Sequence, residues 1–595
     1  MAAEHASPEP DPWVPFEREL IARLDDAFRS IGVGVDLEVV RGLLDWDGGP
    51  QGDAALPVHR IAAGERSPPA AFAGRLLAAF RAGGEVASAS AQGAYLNFVA
   101  DPERLGGRTL ATVAALGDRY GHRPRTAGPA CVEHTSANPT GPFHIGRVRN
   151  AIIGDTLART LRAAGTPVTT QYYVDDMGRQ AAMISWIWGR EPAAWPAEIR
   201  AAIADAPSDE KPDARLGRPY PAVSAYLKGH PEAAAEVAGI VQDLETGTIP
   251  PQHHALAESI LGGMLSSLAR LGIAFDELVW ESEFVRNGAV GAVLERLRHA
   301  PHARAEENGA WAIDAGTYGL PKEKQSVVVQ RGNGTSLYVT RDVAYHLAKF
   351  ARFDRVIDVL GQDHQLHART LEALLAEIDE ARRPEFVIYQ DITVPEGGRM
   401  STRGGSAVWL DQLLAEAVER ARKEVLARRE GLDEPSVERI AEAVATGAVR
   451  YHIVRVAPEK PVVFRWEDAL SFEGRSGPFC QYAYARASSV LRKAEEATAP
   501  YPYDPVELRH PDERALLRLI ARLPRTIDAA ARRAHVHAVA GYAHEVADQF
   551  HRFYHSVPVL RAEAERSSRL ALVAAVRQTL GNALDLLGVP RLDSM

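Results

Sequence analysis

Cysteine is nearly absent from this chain, which has only Cys131 and Cys480 among its 595 residues. Neither belongs to a Cys-x-x-Cys pair, which argues against a disulfide framework and against a cysteine-based zinc site. Runs of about eighteen apolar residues are also missing, so no membrane-spanning segment is expected. The N-terminus is acidic and rich in proline, and it lacks the basic start and the apolar stretch of a signal peptide. These absences predict a cytoplasmic protein.

An overall basic charge is missing too, because the formal net charge is −10. That balance does not by itself indicate a nucleic-acid-binding protein, but total charge is a poor guide where charge is unevenly spread. From Cys480 to Met595 the chain carries sixteen Lys and Arg against thirteen Asp and Glu, so this part is basic relative to the whole. The hydrophobic content of 46% and the charged content of 25% are typical of a soluble globular protein. The length predicts three or more domains.

The most informative stretch runs from Ala130 to Asp155. Residues 130–135 alternate like a strand, residues 136–142 form a loop of turn residues, and a helix follows with apolar positions every three or four residues. This order can form a phosphate site, because the first N–H groups of a helix are unpaired and its dipole favours an anion. His144 and Arg147 lie at that helix start and can add donors. From spacing alone, an ordinary strand–helix turn with a solvated His and Arg is an equally good interpretation.

Residues 144–147, His-Ile-Gly-Arg, resemble the HIGH signature of class I aminoacyl-tRNA synthetases, with Arg147 in place of the second His. We call them the first signature. The preceding residues 133–142 and the following Arg149–Asn150 resemble arginyl-tRNA synthetase in particular, in the form typical of archaeal enzymes. The resemblance implies an ATP site that includes Pro142, His144, Gly146 and Arg147, with His144 and Arg147 acting in catalysis.

The resemblance covers nearly the whole chain and implies a multidomain α/β protein. Residues 1–121 are predicted to be a small α/β accessory domain that contacts tRNA, with strands at Pro57–Arg60 and Gly93–Phe98. Residues 122–408 are predicted to be a class I synthetase catalytic domain, a Rossmann-like parallel sheet with an insertion at about 186–286. Residues 409–595 are predicted to be an all-α domain that contacts the tRNA stem and ends in an anticodon-binding bundle of the DALR type.

Hydrophobic patterns predict further strands within the catalytic domain. A strand at Val168–Val174 follows the signature helix, so the sheet is expected to be parallel, with its functional loops at the carboxyl ends of the strands. The sheet is predicted to resume at Gln325–Gln330, followed by a hairpin turn at Arg331–Gly334. Two more strands are predicted at Val356–Leu360 and Phe386–Ile392.

Residues 335–344 resemble the family's tyrosine–threonine–arginine–aspartate motif. Tyr338 and Asp342 are four apart, so one helical turn puts them on the same side, and a carboxylate with a phenol hydroxyl suits a guanidinium. In the family these positions hold the arginine side chain. The alternative is an ordinary helix N-cap Asp beside a half-buried Tyr. The resemblance also implies that other contacts to arginine come from Glu133, Ser136, Asn138 and Gln362, and that Asp363 and His364 face ATP.

His364 and His367, which are three residues apart, are candidate metal ligands by their spacing. No third candidate ligand keeps a recognisable spacing, so no structural metal is predicted. Mg²⁺ is expected to arrive with ATP as part of the substrate.

A second signature is predicted at residues 397–405, which resemble the family's form of the KMSKS segment. Its candidate catalytic residues are Arg399, Ser401 and Arg403, and Met400 is a candidate ATP contact. Arg399 stands where lysine is frequent, Gly404 replaces a frequent lysine or arginine, and Gly141 occupies the place of a compensating lysine in some family members. Arg147, Arg399 and Arg403 are therefore expected to carry the phosphate charge, which arginine can do through a bidentate fork.

Residues 473–486 resemble the entry to the family's anticodon-binding bundle, and residues 542–560 and 569–595 resemble its end. Aromatic rings interleaved with arginine can stack on unpaired bases and pair with phosphates. The segment contains Tyr482, Tyr484, Arg486, Phe553 and Tyr554, of which Tyr482, Arg486 and Tyr554 are the candidate tRNA contacts. The alternative is that half of these rings belong to the core.

Taken together, the resemblance implies an arginine–tRNA ligase that uses ATP, L-arginine and tRNA(Arg) and acts as a monomer. One rival is a paralogue that activates a different guanidine-bearing or basic amino acid, against which Tyr338, Asp342 and Gln362 all argue. A second rival is a non-catalytic tRNA-binding protein that keeps the fold, for which Gly404 is the one hint.

Overall fold

The computed structural model describes residues 9–46, 52–125, 127–204, 207, 210–393, 408–429, 431–494 and 501–595. Its first part is a three-stranded antiparallel sheet in the order β1-β3-β2, covered by helices. Phe16, Phe28, Phe72 and Phe98 are fully buried in the core of this part. The elements are α1 Val14–Ser30, α2 Leu37–Leu43, β1 Ala54–Pro57, α3 His59–Gly64, α4 Pro69–Ala79, β2 Val86–Gln92, β3 Tyr95–Ala100 and α5 Pro102–Leu116.

The strand predicted at Pro57–Arg60 is wrong for most of its length. The strand ends at Pro57, and α3 begins at His59. The prediction is wrong because this strand is fixed by its pairing with β3, in which Leu56 lies opposite Leu96. That pairing places the strand at residues 54–57, earlier in the chain than predicted. The strand predicted at Gly93–Phe98 is present as Tyr95–Ala100.

A five-stranded parallel sheet in the order β11-β10-β4-β5-β6 forms the centre of the molecule. Its middle strand β4 has every residue buried, as expected for a strand covered on both faces. Helix α6, which follows, is also buried nearly all round, because it lies between the sheet and the C-terminal helices. The elements that build the sheet are β4 Ala130–Glu133, α6 Val148–Ala163, β5 Val168–Val174, β6 Glu277–Trp280, α15 Tyr338–Arg352, β10 Arg355–Gly361, α16 Gln365–Glu377 and β11 Glu385–Tyr389.

The sheet does not resume at residues 325–330. The strand there, β9 Ser326–Gln330, pairs antiparallel with its neighbour in a separate three-stranded sheet in the order β7-β8-β9. The fifth strand of the parallel sheet is β6, which lies inside the range 186–286 predicted as an insertion. The predicted turn at Arg331–Gly334 does close, but it leads through an isolated Gln330–Ser336 bridge into α15 rather than into a second strand.

Helices fill most of the chain between β5 and β6. They are α7 Arg179–Trp188, α8 Ala197–Ile203, α9 Pro212–Gly217, α10 Tyr220–Gly229, α11 Pro231–Glu245 and α12 His253–Ala269. Between β6 and α15 lie α13 Glu281–Arg286, α14 Ala289–Arg298, β7 Ala303–Ala305, β8 Trp311–Asp314 and β9.

The described residues of the C-terminal part form helices, connecting loops and one short strand, β13. β13 pairs in parallel with β12 and so attaches this part to the end of the sheet region. Ser476 caps α20 by accepting from the N–H of Phe479, with Pro478 in the first turn, which is a favourable helix start. The elements are β12 Ile392–Thr393, α17 Leu410–Arg428, α18 Glu434–Val454, β13 Val462–Val463, α19 Trp466–Ala469, α20 Gly477–Lys493, α21 Pro511–Arg533, α22 His537–Ser556 and α23 Arg566–Leu587.

Helix α23 is long and apolar enough, by length and composition alone, to cross a membrane, and among the described helices it alone meets that test. Of its most apolar window, 72% is buried inside the protein. It packs against α20, α21 and α22, so its apolarity is accounted for by its place in the core of the bundle.

Two buried arginines join the sheet region to the C-terminal helices. Arg450 on α18 donates to the carbonyls of Leu587 and Leu271, each at 2.7 Å, and to Asp155 Oδ2 on α6 at 2.5 Å. Arg149 on α6 donates to four backbone carbonyls, at residues 390, 456, 457 and 460. Helix α6 is thus hydrogen-bonded to the C-terminal helices as well as packed on the sheet. The domain boundaries at 121 and 408 stay predictions.

Candidate active site

The loop after β4 is held in an unusual backbone conformation. Thr135 and Ser136 have φ values of 74° and 36°, a region that residues other than glycine rarely adopt. The Thr135 N–H donates to Asn150 Oδ1 at 2.7 Å, and Asn150 Nδ2 donates to the Val359 carbonyl at 2.7 Å. Helix α6 and strand β10 therefore fix this loop. Strain of this kind persists only where the surroundings impose it, and it clusters at functional sites.

The first signature places an unpaired donor at the start of α6. His144 Nδ1 accepts from the Gly146 N–H at 3.0 Å. Burial, with the nearby charge of Arg147, lowers the pKa of His144, so the ring is neutral and its proton is on Nε2. That Nε2 is buried and has no hydrogen-bond partner among the described residues. It is therefore available to an incoming acceptor such as a phosphate oxygen.

Arg147 lies near two aromatic groups at the ends of sheet strands, Tyr389 at the end of β11 and His364 just after β10. Burial raises the pKa of Tyr389, and the charge and hydrogen bond of Arg147 oppose that shift. The pKa of His364 is lowered, mainly by burial. The charge of Asp363 opposes this shift, and the charge of Arg147 adds to it. None of the described carboxylates forms an ion pair with Arg147. Its positive charge is thus not neutralised by a described carboxylate and can pair with an external anion.

The residues of the second signature, including Arg399, Met400, Ser401 and Arg403, lie outside the described residues. The chain returns at Val408 directly against the first signature. The Ile145 N–H donates to the Val408 carbonyl at 3.1 Å, and the Leu410 N–H donates to the Phe143 carbonyl at 2.8 Å. The chain that follows the second signature is therefore joined to the first signature loop by backbone hydrogen bonds.

Asp342 and Tyr338 lie together at the N-terminal end of α15, as their spacing predicts. Asp342 pairs with His367 Nε2 of α16, and the Tyr338 ring packs against His367 with 5.1 Å between ring centroids. Burial would raise the pKa of Asp342, but the hydrogen bond and charge of His367 hold it below its usual value. Tyr338 is 60% exposed, so it is not the half-buried ring of the alternative interpretation.

Ser136 and Glu133 belong to a buried charge network. Ser136 Oγ donates to Glu133 Oε1 at 2.9 Å, and Lys349 Nζ donates to Glu133 Oε2 at 2.5 Å and to Asp358 Oδ1 at 2.8 Å. Burial raises the pKa of Glu133. For Lys349, burial is outweighed by the two carboxylates, which raise its pKa. Glu133 therefore has a protein partner for each oxygen and fixes the position of Ser136.

The remaining predicted arginine contacts lie at the ends of neighbouring strands. Asn138 Nδ2 donates to Asp175 Oδ2 at 2.8 Å, just beyond β5. Gln362, Asp363 and His364 form a single 3-10 turn after β10, in which Gln362 and Asp363 are exposed. Pro142 and Gly146 flank His144 in the first signature loop and are partly exposed. These candidates thus follow β4 and β10, which are adjacent in the centre of the sheet, and Asn138 is anchored at the end of β5, the neighbour of β4 on its other side.

Sequence reasoning missed Lys349 and the partner of Asp342. Asp342, His346 and Lys349 recur at spacings of four and three on the buried side of α15, where charged residues are uncommon. That pattern was a usable signal for a buried polar network. In the sequence, His367 stands out only as a candidate metal ligand beside His364. Among the described residues, no group of three or more His, Cys, Asp or Glu side chains could hold a metal ion.

The aromatic residues of the C-terminal bundle divide into two groups. Tyr484 and Phe553 are buried at 3% and 0% exposure and belong to the core. Tyr482 and Arg486 are partly exposed, and Tyr554 is 41% exposed. The Arg486 guanidinium lies over both rings, 4.6 Å from the Tyr482 centroid and 4.9 Å from that of Tyr554. The three candidate tRNA contacts therefore form one surface cluster.

Comparison with known families identifies both halves of the chain. Residues 111–466 match the family described as "tRNA synthetases class I (R), catalytic domain", and residues 480–595 match the "DALR anticodon binding domain". The parallel sheet with its signature loop is therefore the catalytic fold of a class I tRNA synthetase, followed by a helical DALR domain.

Whole-length relatives narrow the class to one family. The arginine–tRNA ligase of Methanothermobacter thermautotrophicus is 41% identical over 582 residues, covering 98% of this chain and 99% of that protein. The enzyme of the same name from Methanocella arvoryzae is 42% identical over 509 residues, covering 85% and 87%. The structure of Thermus thermophilus arginyl-tRNA synthetase superposes with a TM-score of 0.80 at 30% identity, covering 97% of this chain and 100% of that one. The chain belongs to the arginyl-tRNA synthetase family.

Proposed function

We propose that this chain activates L-arginine with ATP and transfers the arginyl group to the 3′ ribose of tRNA(Arg). The arginine carboxylate attacks the α-phosphate of ATP, and pyrophosphate leaves with the Mg²⁺ that accompanied the nucleotide. The ribose hydroxyl then attacks the carbonyl of arginyl-adenylate, and AMP leaves. No protein nucleophile is needed, so the protein contributes positioning and charge stabilisation.

Asp342 is the proposed partner of the substrate guanidinium. A guanidinium does not lose its proton in a partly desolvated pocket, because its pKa is too high. Its charge therefore needs a carboxylate as a partner. The side chain of Asp342 is 20% exposed, its ionised form is stabilised, and Tyr338 stands open beside it. This preformed carboxylate is the observation that carries the choice of arginine as substrate.

The α-amino and carboxylate end of arginine is assigned to Ser136, Asn138 and Glu133, with Gln362 facing the amino acid. Ser136 and Asn138 both lie on the strained loop after β4, and their side chains are anchored by Glu133 and Asp175. Fixed polar groups of this kind lose little freedom when the substrate binds. Glu133 acts here mainly by holding Ser136.

The phosphate end is assigned to His144 and Arg147, together with Asp363 and His364. The unpaired His144 Nε2 and the start of α6 favour negative charge. Arg147 is able to offer a bidentate fork to the phosphates. From the second signature, Arg399, Ser401 and Arg403 are proposed to assist catalysis and Met400 to contact ATP, on the strength of the sequence alone.

The anticodon loop of tRNA is proposed to bind at the cluster of Tyr482, Arg486 and Tyr554. The exposed ring of Tyr554 and the partly exposed ring of Tyr482, both in contact with one guanidinium, offer stacking faces and a positive charge, the combination that unpaired bases and phosphates require. A monomeric state and a cytoplasmic location stay predictions from the sequence.

The decisive experiment is ATP–pyrophosphate exchange with each of the twenty amino acids, with and without total tRNA. We expect exchange with arginine only, and only when tRNA(Arg) is present, because that dependence is usual in the family. Exchange with another amino acid would contradict the substrate assignment. A purified, folded protein that exchanges with none would favour the non-catalytic rival.

A further inference from the structure

The proposed arginine site contains a cation of its own. His367 on α16 contacts Asp342 Oδ2 through Nε2, and the two side chains are only 18% and 20% exposed. The Tyr338 ring covers His367 at 5.1 Å between centroids. The same carboxylate that would receive the substrate guanidinium is therefore already paired with an imidazole.

Acidic groups from three elements surround His367. Burial alone would lower its pKa, but the hydrogen bond and charge of Asp342, supported by Glu133 on β4 and Asp358 on β10, raise it above the ordinary value. The ring of His364, in the turn before α16, lies 6.5 Å from that of His367 between centroids, and burial lowers the pKa of His364. The surroundings thus favour a protonated His367 in the free protein.

Two further basic side chains act on the Asp342 carboxylate. His346 and Lys349, both on α15, lower the pKa of Asp342 together with His367. Lys349 is bound to Glu133 and Asp358, and His346 Nε2 hydrogen-bonds to Asp358 Oδ2 at 2.7 Å. Both therefore have other partners, whereas His367 has Asp342 as its ion-pair partner.

We propose that arginine binding displaces His367 from Asp342 and releases its proton to solvent, so that the affinity for arginine rises with pH. The inference rests on the proposed role of Asp342. A guanidinium stays charged, so its arrival beside the imidazolium puts two like charges at one carboxylate. The imidazole can lose its proton and the guanidinium cannot. At a pH where His367 is protonated in the free protein, each arginine that binds releases one proton.

The direction of the pH effect follows from this exchange. Below the pKa of His367 in the free protein, arginine must displace an imidazolium, and binding is weakened. Above that pKa the imidazole is already neutral, and Asp342 receives the guanidinium without competition. The KM for arginine should therefore fall as pH rises, by at most about tenfold per pH unit, the limit for one proton.

The test measures the KM for arginine in tRNA(Arg) charging from about pH 6 to pH 8, at saturating ATP and tRNA. His367→Gln keeps an N–H donor for Asp342 but cannot ionise. We expect the parent KM to fall across this range and the His367→Gln KM to be flat. His302→Gln is the matched control, because His302 forms a comparable pair with Glu377 at the other end of α16, 2.7 Å apart. It should behave like the parent.

Calorimetry gives a second measurement that needs no variant. Arginine titrated into the protein with bound tRNA, in two buffers of different ionisation enthalpy, reports the number of protons released. Release by the parent near pH 7, absent in His367→Gln, supports the proposal. A flat parent KM, or the parent's pH slope retained in His367→Gln, overturns it. If Asp342→Asn is impaired for arginine while His367→Gln keeps that slope, only this inference fails. If Asp342→Asn uses arginine normally, the proposed arginine site fails as well.

Discussion

The two ends of the candidate active site differ in how their charges are satisfied. At the amino-acid end, Asp342, Glu133 and Lys349 all have partners within the protein. At the phosphate end, none of the described carboxylates pairs with Arg147, and His144 Nε2 has no described hydrogen-bond partner. A substrate cation must therefore exchange for a resident partner, whereas a substrate anion meets donors that no described carboxylate occupies. Selectivity is expected to arise at the first end and transition-state stabilisation at the second.

The largest effect is expected from Asp342→Asn, which keeps the size of the side chain and removes its charge. Breaking such a pair costs about 3–5 kcal/mol, or roughly 10²–10³-fold or more in kcat/KM for arginine. The KM for ATP should change little, because the phosphate groups lie on other loops. Glu377→Gln, which removes the carboxylate of the His302 pair outside the site, is the control. Equal losses in both variants would mean that the site lies elsewhere.

Arg147→Ala tests the opposite end. If the guanidinium pairs more strongly with the departing pyrophosphate than with bound ATP, its loss lowers kcat rather than raising KM alone. We expect a loss of about 10²–10³-fold, the range for one transition-state donor. Arg162→Ala, on the exposed side of the same helix, should leave kcat unchanged. An unaltered kcat in Arg147→Ala would transfer this role to another residue.

A smaller effect is expected at the C-terminal surface cluster. Tyr482→Ala removes one stacking face and should weaken tRNA(Arg) binding by about 1–3 kcal/mol, whereas Tyr482→Phe keeps the ring and should lose much less. The measurement is the KM for tRNA(Arg) in each variant. The control is the rate of arginine activation at saturating tRNA, which should be the same in the parent and both variants. The assignment is wrong if the Ala and Phe variants bind tRNA equally well.

Much of the fold could be predicted because its patterns are local. Strand β5 and helix α17 lie where alternation and amphipathic spacing put them. Strand β6 was missed because its four residues are only partly buried, with Leu278 at 40% exposure, so its pattern is weak. β6 belongs to the parallel sheet because it pairs with β5, which lies about a hundred residues earlier in the chain. The local spacing of residues in β6 carries no information about that pairing.

The site shows the same division between local and long-range information. Spacing on one helix placed Tyr338 beside Asp342, and the structure brings both to the sheet's carboxyl edge. The pairing of Asp342 with His367 joins two helices, and the contact of Lys349 with Glu133 spans 216 positions. Such contacts follow from the packing of α15 and α16 on the sheet. The second signature, outside the described residues, stays a prediction.

The most direct test of the account compares arginine with citrulline, its neutral isostere, in the pyrophosphate exchange reaction with tRNA present. The parent should prefer arginine strongly, because Asp342 must be satisfied by a cation. In Asp342→Asn that preference should fall by about 10²-fold or more, mainly through the loss of arginine activity. A preference that is undiminished in Asp342→Asn would show that another group recognises the guanidinium charge, and the contrast between the two ends of the site would fail.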